Sequence, residues 1–525
     1  MIVRSVCRSA RSSRAPVRTS RVPPCRRYSM PAAHGAETSA AGAAMLAPFV
    51  GELDRIAPSF QMHGSRIRLL QTPADFFETL QAKIRRAERR IFLSTLYIGR
   101  SETALMAALQ EALRSKPGLK LGILTDALRG TREAPEPSCA SLLAPLVAEF
   151  GPDRVEIRMY HTPNLTGLRK KHMPRRINEG WGLQHMKLYG FDDEIILSGA
   201  NLSSDYFTNR QDRYHLFASS DMTEYFSNLF GAVASLSYLV QPSQSAAGFE
   251  LSWPDTNTGP SPLDDPARFV AESTSLLSGL ISPRTAPLTR HDQDVQADTS
   301  VYVLAQLSQL LRPDRSTELP ALTRVLELLA DPRYAASSWT FTAGYFNPAR
   351  SLTRLLLATA SRANTVITAA PQANGFFGSA GVSGLLPDAY TLLARRFLYA
   401  VHAHGRDADI GLREWRRGTV GAPDGWTYHA KGLWVTLPGG ADVGPSLTVV
   451  GSSNYTRRSY SLDLEAGALV VTENEALRRR LAEEQRWLGA HAEVVTRDDL
   501  ARNERRVGLR VRVALWIVQM LGGAL

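Results

Sequence analysis

Apolar segments follow one another in the same order in the two halves of this chain. Short apolar runs typical of buried strands alternate with amphipathic runs of helical period, such as residues 76–89 and 352–362. This alternation predicts an α/β protein of two tandem lobes, each a mixed sheet flanked by helices. The matching strand-like runs, first half against second, are 90–99 and 339–346, 119–127 and 365–370, 155–160 and 410–415, and 214–218 and 466–471.

The length of 525 residues suits two such lobes. We place the first lobe at residues 45–240 and the second at residues 301–500. Residues 241–300 are rich in Pro, Ser, Thr and Asp, which predicts a linker with some local helix. The sequence has no run of eighteen apolar residues, so no transmembrane helix is predicted.

Each half carries the same set of polar residues after its third strand-like run. The first set is His185, Lys187 and Asp192, followed by Ser198–Asn201 and then Asp212; the second is His429 and Lys431, followed by Asn454 and then Glu465. Eleven positions separate the asparagine from the acid in both halves. The second set differs at one place, because Thr436 stands where the first set has Asp192.

These residue types suit chemistry at a phosphodiester. A neutral imidazole can attack phosphorus while a second histidine handles the proton. His185 and Lys187 are two positions apart and share a face of a strand, as do His429 and Lys431. If the two strands meet at the lobe interface, two histidines and two lysines converge there, and the lysines supply the positive charge that a metal ion would otherwise bring. We therefore predict neither a metal site nor a cofactor.

Four further side chains are expected to support this site. The amides of Asn201 and Asn454 can donate hydrogen bonds to the phosphoryl oxygens. The carboxylates of Asp212 and Glu465 can hold the Nδ1 protons of the histidines and so fix their tautomers.

The complete first motif, H-x-K-x4-D followed by Gly-Ala-Asn, is similar to the signature of the phospholipase D superfamily. Within it, the chain resembles the eukaryotic phosphatidylglycerophosphate synthase family. That resemblance is carried by residues 182–189, 196–203 and 206–214, by His161-Thr162-Pro163, by residues 374–378, and by residues 429–434. The family also lacks the second Asp, in keeping with Thr436.

The resemblance implies transfer of a phosphatidyl group from CDP-diacylglycerol to sn-glycerol 3-phosphate with release of CMP. It also implies that His185 is the nucleophile and His429 the base. The predicted catalytic residues are His185, Lys187, Asp192, His429 and Lys431, although in the superfamily the residue matching Asp192 serves the local fold more than bond making. The same motifs suit a phospholipase D-like hydrolase or nuclease with water as acceptor. A catalytically inactive membrane scaffold is a third alternative, which the two intact His-x-Lys pairs disfavour.

The acceptor carries its own phosphate, so a further cationic patch is expected. Arg129 and Arg132 follow a predicted strand at the edge where ligands of α/β sheets bind, and could hold that phosphate. A surface turn with solvated arginines is the alternative. Arg210 and Arg213, near the Asn201 loop, are rival candidates. A G-x4-G-K-[ST] loop is absent from the sequence, which gives no support for a nucleoside triphosphate site.

Charge is concentrated at the N-terminus. Residues 1–30 hold eight arginines and no acid, against a net charge of +11 for the chain. This composition predicts a mitochondrial transit peptide, with a disordered basic tail as the alternative. The basic isoelectric point therefore does not indicate a nucleic-acid partner. Cys7 and Cys25 lie in this segment, so the body has only Cys139 and can form neither an internal disulfide nor a cysteine-cluster metal site.

The C-terminal residues 501–525 combine five arginines with a mostly apolar run. Such a tail can lie in a membrane interface, with Arg505, Arg506, Arg510 and Arg512 near anionic headgroups and Trp516 in the interface. A terminal helix packed on the second lobe is an equal alternative. Because the donor is a lipid, we expect peripheral binding to the matrix face of the mitochondrial inner membrane, and we infer no obligate protein partner.

Overall fold

The computed structural model describes residues 34–174, 177–283 and 297–520. The predicted transit peptide at residues 1–30 lies outside the described residues. The strands are β1 Ser59–Met62, β2 Ile67–Leu70, β3 Arg90–Ser94, β4 Lys120–Asp126, β5 Val155–Tyr160, β6 Leu188–Phe191, β7 Glu194–Ser198, β8 Arg210–Gln211, β9 Tyr214–Ala218, β10 Tyr238–Pro242, β11 Phe249–Ser252, β12 Thr299–Gln306, β13 Ser338–Ala343, β14 Asn364–Ala369, β15 Ile410–Trp415, β16 Thr427–Tyr428, β17 Lys431–Thr436, β18 Leu447–Gly451, β19 Glu465–Thr472 and β20 Ala492–Val495.

Helices flank these strands throughout. They are α1 His34–Leu53, α2 Pro73–Arg86, α3 Thr103–Ser115, α4 Ala127–Gly130, α5 Cys139–Phe150, α6 Gly167–His172, α7 Ser204–Thr208, α8 Ser220–Ala234, α9 Pro266–Ile281, α10 Glu318–Leu328, α11 Arg350–Ala358, α12 Leu386–Ala403, α13 Arg457–Ser461, α14 Glu475–Gly489, α15 Arg497–Ala501 and α16 Leu509–Met520.

The strands form two large mixed sheets with the same internal order. The first runs β11-β10-β5-β4-β3-β6-β7-β9-β2, and the second runs β1-β12-β19-β18-β17-β13-β14-β15-β20. Seven strands correspond one to one, from β5 through β2 in the first sheet and from β15 through β12 in the second. In each sheet the first three of these are parallel and the rest antiparallel. The predicted duplication of an α/β lobe is therefore confirmed.

Apolar side chains hold the two sheets together through a shared core. Side chains of β6 and β7 meet those of β18 and β19 in one buried cluster, with α8 and α14 contributing Phe226 and Leu481. Separate clusters cover the outer faces, where α2, α3 and α5 pack on the first sheet and α1, α10, α11 and α12 on the second. The strands are buried on both faces, which explains why they read as continuous apolar runs in the sequence.

Two predicted domain boundaries are wrong. Residues 34–62 belong to the second lobe, because β1 pairs with β12 and α1 packs against α10. Residues 241–283 belong to the first lobe and are not a linker. There β10 and β11 extend the first sheet, and α9 buries Phe269 and Leu277 in the shared core. The composition of this segment resembles that of a linker because its connecting loops hold four of its six prolines and all three of its aspartates.

The C-terminal helix α16 packs on the second lobe. Val507, Val511 and Leu515 lie four residues apart and are buried against α12. Arg505, expected near lipid headgroups, instead donates to both carboxylate oxygens of Glu414 at 2.7 and 2.6 Å. The prediction that Arg505 lies near headgroups is wrong because Glu414, which is 5% exposed, needs a positively charged partner. The side chain of Trp516 lies outside the described residues.

No helix among residues 34–174, 177–283 and 297–520 has the length and apolar character needed to cross a membrane.

Candidate active site

The first His-x-Lys segment lies at the lobe interface, directly before β6. Its residues are extended and pair with the segment before β19 of the other lobe. The His185 amide donates to the Leu464 carbonyl at 2.9 Å, and the Leu464 amide donates to the Leu183 carbonyl at 2.8 Å. This backbone pairing places His185 beside Glu465, the first residue of β19.

The second His-x-Lys segment makes the mirrored contact. Here β16 runs parallel to β8, so that the His429 amide donates to the Gln211 carbonyl at 2.8 Å. His429 therefore lies beside Asp212 of the first lobe. The sequence predicted that the segments meet at the interface; the backbone pairing that brings each one to the other lobe's acid was not predicted.

Each histidine receives its carboxylate from the opposite lobe. Nδ1 of His185 lies 2.9 and 2.8 Å from the two oxygens of Glu465, and Nδ1 of His429 lies 2.7 Å from Oδ2 of Asp212. A carboxylate accepts the Nδ1 proton, so this contact leaves Nε2 as the nitrogen with a lone pair for chemistry. Neither lobe alone contains a complete pair.

Both lysines are buried and lie against their own histidine. Nζ of Lys187 donates to the His185 carbonyl at 2.7 Å, and Nζ of Lys431 donates to the His429 carbonyl at 2.9 Å. Lys431 also contacts Oδ2 of Asp212 at 3.2 Å. Such buried ammonium groups are strong ligands for an anionic phosphoryl group, because little water competes with them.

The electrostatic environment keeps both histidines neutral. Burial, assisted by the nearby lysine charge, holds the pKa of His185 well below its usual range and lowers the pKa of His429 to about 3. A neutral imidazole has the lone pair that attack on phosphorus needs. Burial also lowers the pKa of Lys187 to about 7. An anionic substrate would raise that pKa again and so favour the charged lysine when the site is filled.

The two carboxylates differ in their partners. Burial opposes ionisation of Asp212, but the Lys431 charge and the His429 contact hold its pKa below the usual range. Burial raises the pKa of Glu465 to about 7, although Lys187 opposes that shift. The Ser452 hydroxyl donates to Glu465 at 2.5 Å. The first lobe has Gly199 at the position that matches Ser452, so Asp212 lacks this hydrogen bond. The two half-sites are therefore related by duplication but are electrostatically unequal.

Relatives with an assigned activity match almost the whole chain. No protein-family model matches it. The CDP-diacylglycerol–glycerol-3-phosphate 3-phosphatidyltransferase of Saccharomyces pastorianus is 43% identical over 465 residues, 87% of this chain and 88% of that protein. The Saccharomyces cerevisiae protein of the same name is 43% identical over 492 residues, 91% of this chain and 93% of that protein. The human mitochondrial protein is 34% identical over 493 residues, 88% and 84% of the two chains.

The chain belongs to the CDP-diacylglycerol–glycerol-3-phosphate 3-phosphatidyltransferase family. The family inferred from the motifs is therefore confirmed. The fold is also that of a solved structure, phosphatidylserine synthase of Haemophilus influenzae, with a TM-score of 0.69 at 20% identity over 90% of this chain and 97% of that one.

Asp192 was predicted to be a catalytic residue, but it lies outside the histidine cluster of the site. It occupies the turn between β6 and β7, with φ of 49°. Its carboxylate accepts hydrogen bonds from the backbone amides of Glu88, Arg89 and Arg90 at 2.8, 2.9 and 3.0 Å. It thus fixes the loop that leads into β3. The second half has Thr436 at the matching position and loses no reacting group by this difference.

Arg213 is also a structural residue, contrary to its prediction as a phosphate ligand. Its side chain is 1% exposed and pairs with Glu484 at 2.8 Å. The guanidinium also donates to the Val449 carbonyl at 2.5 Å and lies 3.8 Å from the centre of the Trp434 ring. It joins the first lobe to the second and has no donor left for a substrate.

The other three candidate arginines lie nearer to open space, but each already has an acidic partner. Arg210 pairs with Asp205 at 2.7 Å, Arg129 pairs with Glu133 at 3.2 Å, and Arg132 pairs with Glu179. Arg129 and Arg132 line an open cavity of about 530 Å³ together with Ser203. Their role as phosphate ligands stays a prediction.

The two asparagines differ in their contacts. Asn201 is buried, and its Nδ2 donates to the Tyr206 hydroxyl at 3.4 Å. Oδ1 of Asn454 is buried with no hydrogen-bond partner among the described residues. That their amides bind the phosphoryl group stays a prediction.

Two tyrosines at the site were not singled out from the sequence. The rings of Tyr206 and Tyr345 meet the His429 ring edge to face, each at 5.2 Å between centroids. Tyr206 lies in the family-like segment 206–214 and could have been recognised there; Tyr345 carries no such signal. Among the described residues, no cluster of three or more His, Cys, Asp or Glu side chains could hold a metal ion.

The first prediction concerns Gly199, which allows Lys431 to reach Asp212. A Cβ at this position would lie 2.6 Å from Nζ of Lys431 and 2.7 Å from Oδ1 of Asp212. Gly199→Ala should therefore displace both groups and lower kcat at least ~10-fold, the loss expected when a catalytic group moves out of position, with little loss of folded protein. Gly231→Ala is the matched control, because a Cβ in that part of α8 meets nothing within 4 Å. Equal kcat in the two variants would contradict the proposed contact.

Proposed function

We propose that this protein transfers the phosphatidyl group of CDP-diacylglycerol to sn-glycerol 3-phosphate, giving phosphatidylglycerophosphate and CMP. The observation that carries the proposal is the pair of buried His-Lys segments, each completed by a carboxylate from the other lobe. Two histidines of this kind serve a double displacement, in which one group holds the phosphatidyl moiety and another activates the acceptor. The family to which the chain belongs supports the choice of donor and acceptor.

In the first half-reaction, Nε2 of His185 attacks the phosphorus of the phosphatidyl group. The N–P bond forms as the P–O bond to CMP breaks, and CMP leaves with that electron pair. The imidazole ring becomes cationic, and Glu465 stabilises it through Nδ1. Lys187 and Lys431 neutralise the phosphoryl oxygens, where negative charge accumulates in the transition state.

In the second half-reaction, a hydroxyl of sn-glycerol 3-phosphate attacks the same phosphorus. Nε2 of His429 takes the hydroxyl proton, and Asp212 stabilises the resulting imidazolium. The P–N bond breaks and its electron pair returns to Nε2 of His185. Asp212, whose pKa is held low, suits this task because an ionised carboxylate favours a protonated histidine.

The acceptor is proposed to enter beside the Asn201 loop. There Arg129, Arg132 and the exposed Arg100 line the cavity of about 530 Å³ with Ser203 and Ser204. Arginines in an open cavity beside this loop suit the entry of an acceptor that carries a phosphate, although Glu102, Glu133 and Asp205 line the same cavity. Arg210 pairs at 2.7 Å with Asp205, which lines the same cavity.

We propose peripheral binding to the matrix face of the mitochondrial inner membrane. The arginine-rich N-terminus and the mitochondrial animal relatives support the compartment. The surface of α16 supports the membrane contact, because Leu509 and Val513 are 75% and 47% exposed, and Arg510 and Arg512 are exposed beside them.

The assignment of His185 as nucleophile predicts distinct behaviour for the two histidine variants. His185→Ala should reduce transfer at least ~100-fold, at the low end of what a positioned catalytic group contributes. With labelled CDP-diacylglycerol, His429→Ala should accumulate a covalent lipid–enzyme species that His185→Ala cannot form. Label found only in the His185 variant would reverse the roles. CMP release at the same rate with and without glycerol 3-phosphate would favour a hydrolase.

Activity is expected to survive chelation. Two lysines provide the positive charge at the phosphoryl group, so no step in the scheme uses a metal ion. Enzyme dialysed against a chelator in detergent should retain most of its kcat. Complete loss that magnesium or zinc reverses would contradict this part of the scheme.

The membrane contact can be tested without disturbing the packing of α16. Leu509→Ser with Val513→Ser should weaken binding to vesicles that contain anionic lipid, and Arg510→Gln with Arg512→Gln should weaken it further, by up to ~1 kcal/mol per charge. Leu276→Ser, at a 37%-exposed position on α9, is the matched control. Undiminished vesicle binding by the α16 variants would move the contact elsewhere on the surface.

A further inference from the structure

The segment His161-Thr162-Pro163 has no part in the chemistry described above. It directly follows β5, whose last residue, Tyr160, lies opposite Asp126 at the end of the parallel strand β4. Loops at the carboxyl ends of parallel strands are where α/β sheets bind ligands. The second lobe holds this segment in place, because the Thr162 hydroxyl donates to Oε1 of Gln309 at 2.7 Å.

A second cavity, of about 310 Å³, opens at this segment. Its polar lining consists of Thr131, Arg132, His161, Lys170 and Asn178. Arg132 lines both this cavity and the larger one beside the Asn201 loop. The two cavities therefore adjoin on either side of one arginine.

His161 offers the cavity a hydrogen-bond acceptor. The side chain is 4% exposed, and Nδ1 lies 2.9 Å from the Thr162 carbonyl, which requires the proton on Nδ1. Nε2 is then an acceptor, and it is buried without a partner among the described residues. Burial, followed by the charge of Lys170, lowers the pKa of His161 to about 4, which keeps this ring neutral near pH 7. Oδ1 of Asn178 is a second buried acceptor that lacks a described partner.

Lys170 offers the cavity a positive charge. It is exposed, and none of the ion pairs among the described residues includes it. In this it differs from Arg129, Arg132 and Arg210, each of which is paired with an acid. Acceptors aligned with an unneutralised cation suit a ligand that combines hydroxyl groups with an anion.

We propose that this cavity binds a hydroxyl-bearing phosphomonoester, which enters through the larger cavity on the other side of Arg132. Lys170 and Arg132 contact its phosphate, while His161 and Asn178 accept hydrogen bonds from its hydroxyl groups. The identity of this ligand rests on the proposed function, because the acceptor sn-glycerol 3-phosphate and the headgroup of the lipid product share this chemistry.

The side chain of Asp126 connects the cavity to the first half-site. The Asp126 carboxylate accepts from the Arg129 amide at 2.8 Å and from the Gln184 amide at 3.0 Å. Gln184 directly precedes His185. The helix α4, which follows β4 directly and lines the cavity with Ala127 and Leu128, is thus fixed to the histidine segment. This suits a site that positions a substrate for that histidine.

Binding can be measured by calorimetry on the full-length protein in detergent, with no donor lipid, using sn-glycerol 3-phosphate as probe. Lys170→Gln should weaken binding about tenfold, as expected for loss of one charge-assisted hydrogen bond. Lys171→Gln, one residue further along the same exposed helix, is the matched control and should bind like the unmodified protein. His161→Gln should weaken the glycerol phosphate more than inorganic phosphate, which has no carbon-bound hydroxyl groups. Because His161 is buried, thermal unfolding of that variant is measured alongside, and Lys170→Gln carries the test if it fails to fold.

A transfer assay then separates the two sources of the ligand. If the acceptor binds here, Lys170→Gln raises its KM about tenfold with kcat within twofold. If the lipid product binds here, that KM is unchanged and binding to vesicles containing phosphatidylglycerophosphate falls. Both results support the site. Unchanged binding of both probes in Lys170→Gln would overturn it. A protein that binds glycerol 3-phosphate through Lys170 but forms no lipid product would keep this site and refute the proposed function.

Discussion

The site depends on the exchange of carboxylates between the lobes. Two short parallel backbone pairings, one at Gln184 with Leu464 and one between β8 and β16, bring each histidine to the acid of the other lobe. A buried histidine–carboxylate pair is stabilised only when both partners stay in contact, because either one alone would be an uncompensated polar or charged group in the core. The contacts that hold the lobe interface together are therefore the same contacts that the chemistry needs.

The interface is secured independently of the reacting groups. Arg213 and His215 of the first lobe share the buried Glu484 of α14, and the Trp434 indole donates to the same carboxylate at 3.0 Å. Arg213 and His215 keep the pKa of Glu484 low against the effect of burial. This network lies in the apolar core shared by the two sheets, so the lobes cannot separate without breaking both polar and apolar contacts. Such a rigid support suits a site whose reacting groups must be held in position to within a few tenths of an ångström.

Much of the fold was predictable because duplication made the strand pattern visible twice. The eleven-residue spacing from asparagine to acid likewise marked Asp212 and Glu465 in both halves. It could not show which histidine each acid meets, since a spacing along the chain says nothing about contacts across an interface. The placement of β1 in the second sheet was missed for the same reason. Arg213 was misjudged because its partner Glu484 lies far away in sequence, and Asp192 because its contacts are backbone amides, which leave no trace in side-chain patterns.

The unequal carboxylates allow a direct test of the exchange. In a rapid-quench experiment with labelled CDP-diacylglycerol and glycerol 3-phosphate, Glu465→Gln should slow the formation of the covalent lipid–enzyme species, because Glu465 supports the nucleophile His185. Asp212→Asn should leave formation fast and slow its breakdown, because Asp212 supports the base His429. The labelled species should therefore accumulate in Asp212→Asn and not in Glu465→Gln. Accumulation in Glu465→Gln alone would contradict the pairing of each histidine with the carboxylate of the opposite lobe in these roles.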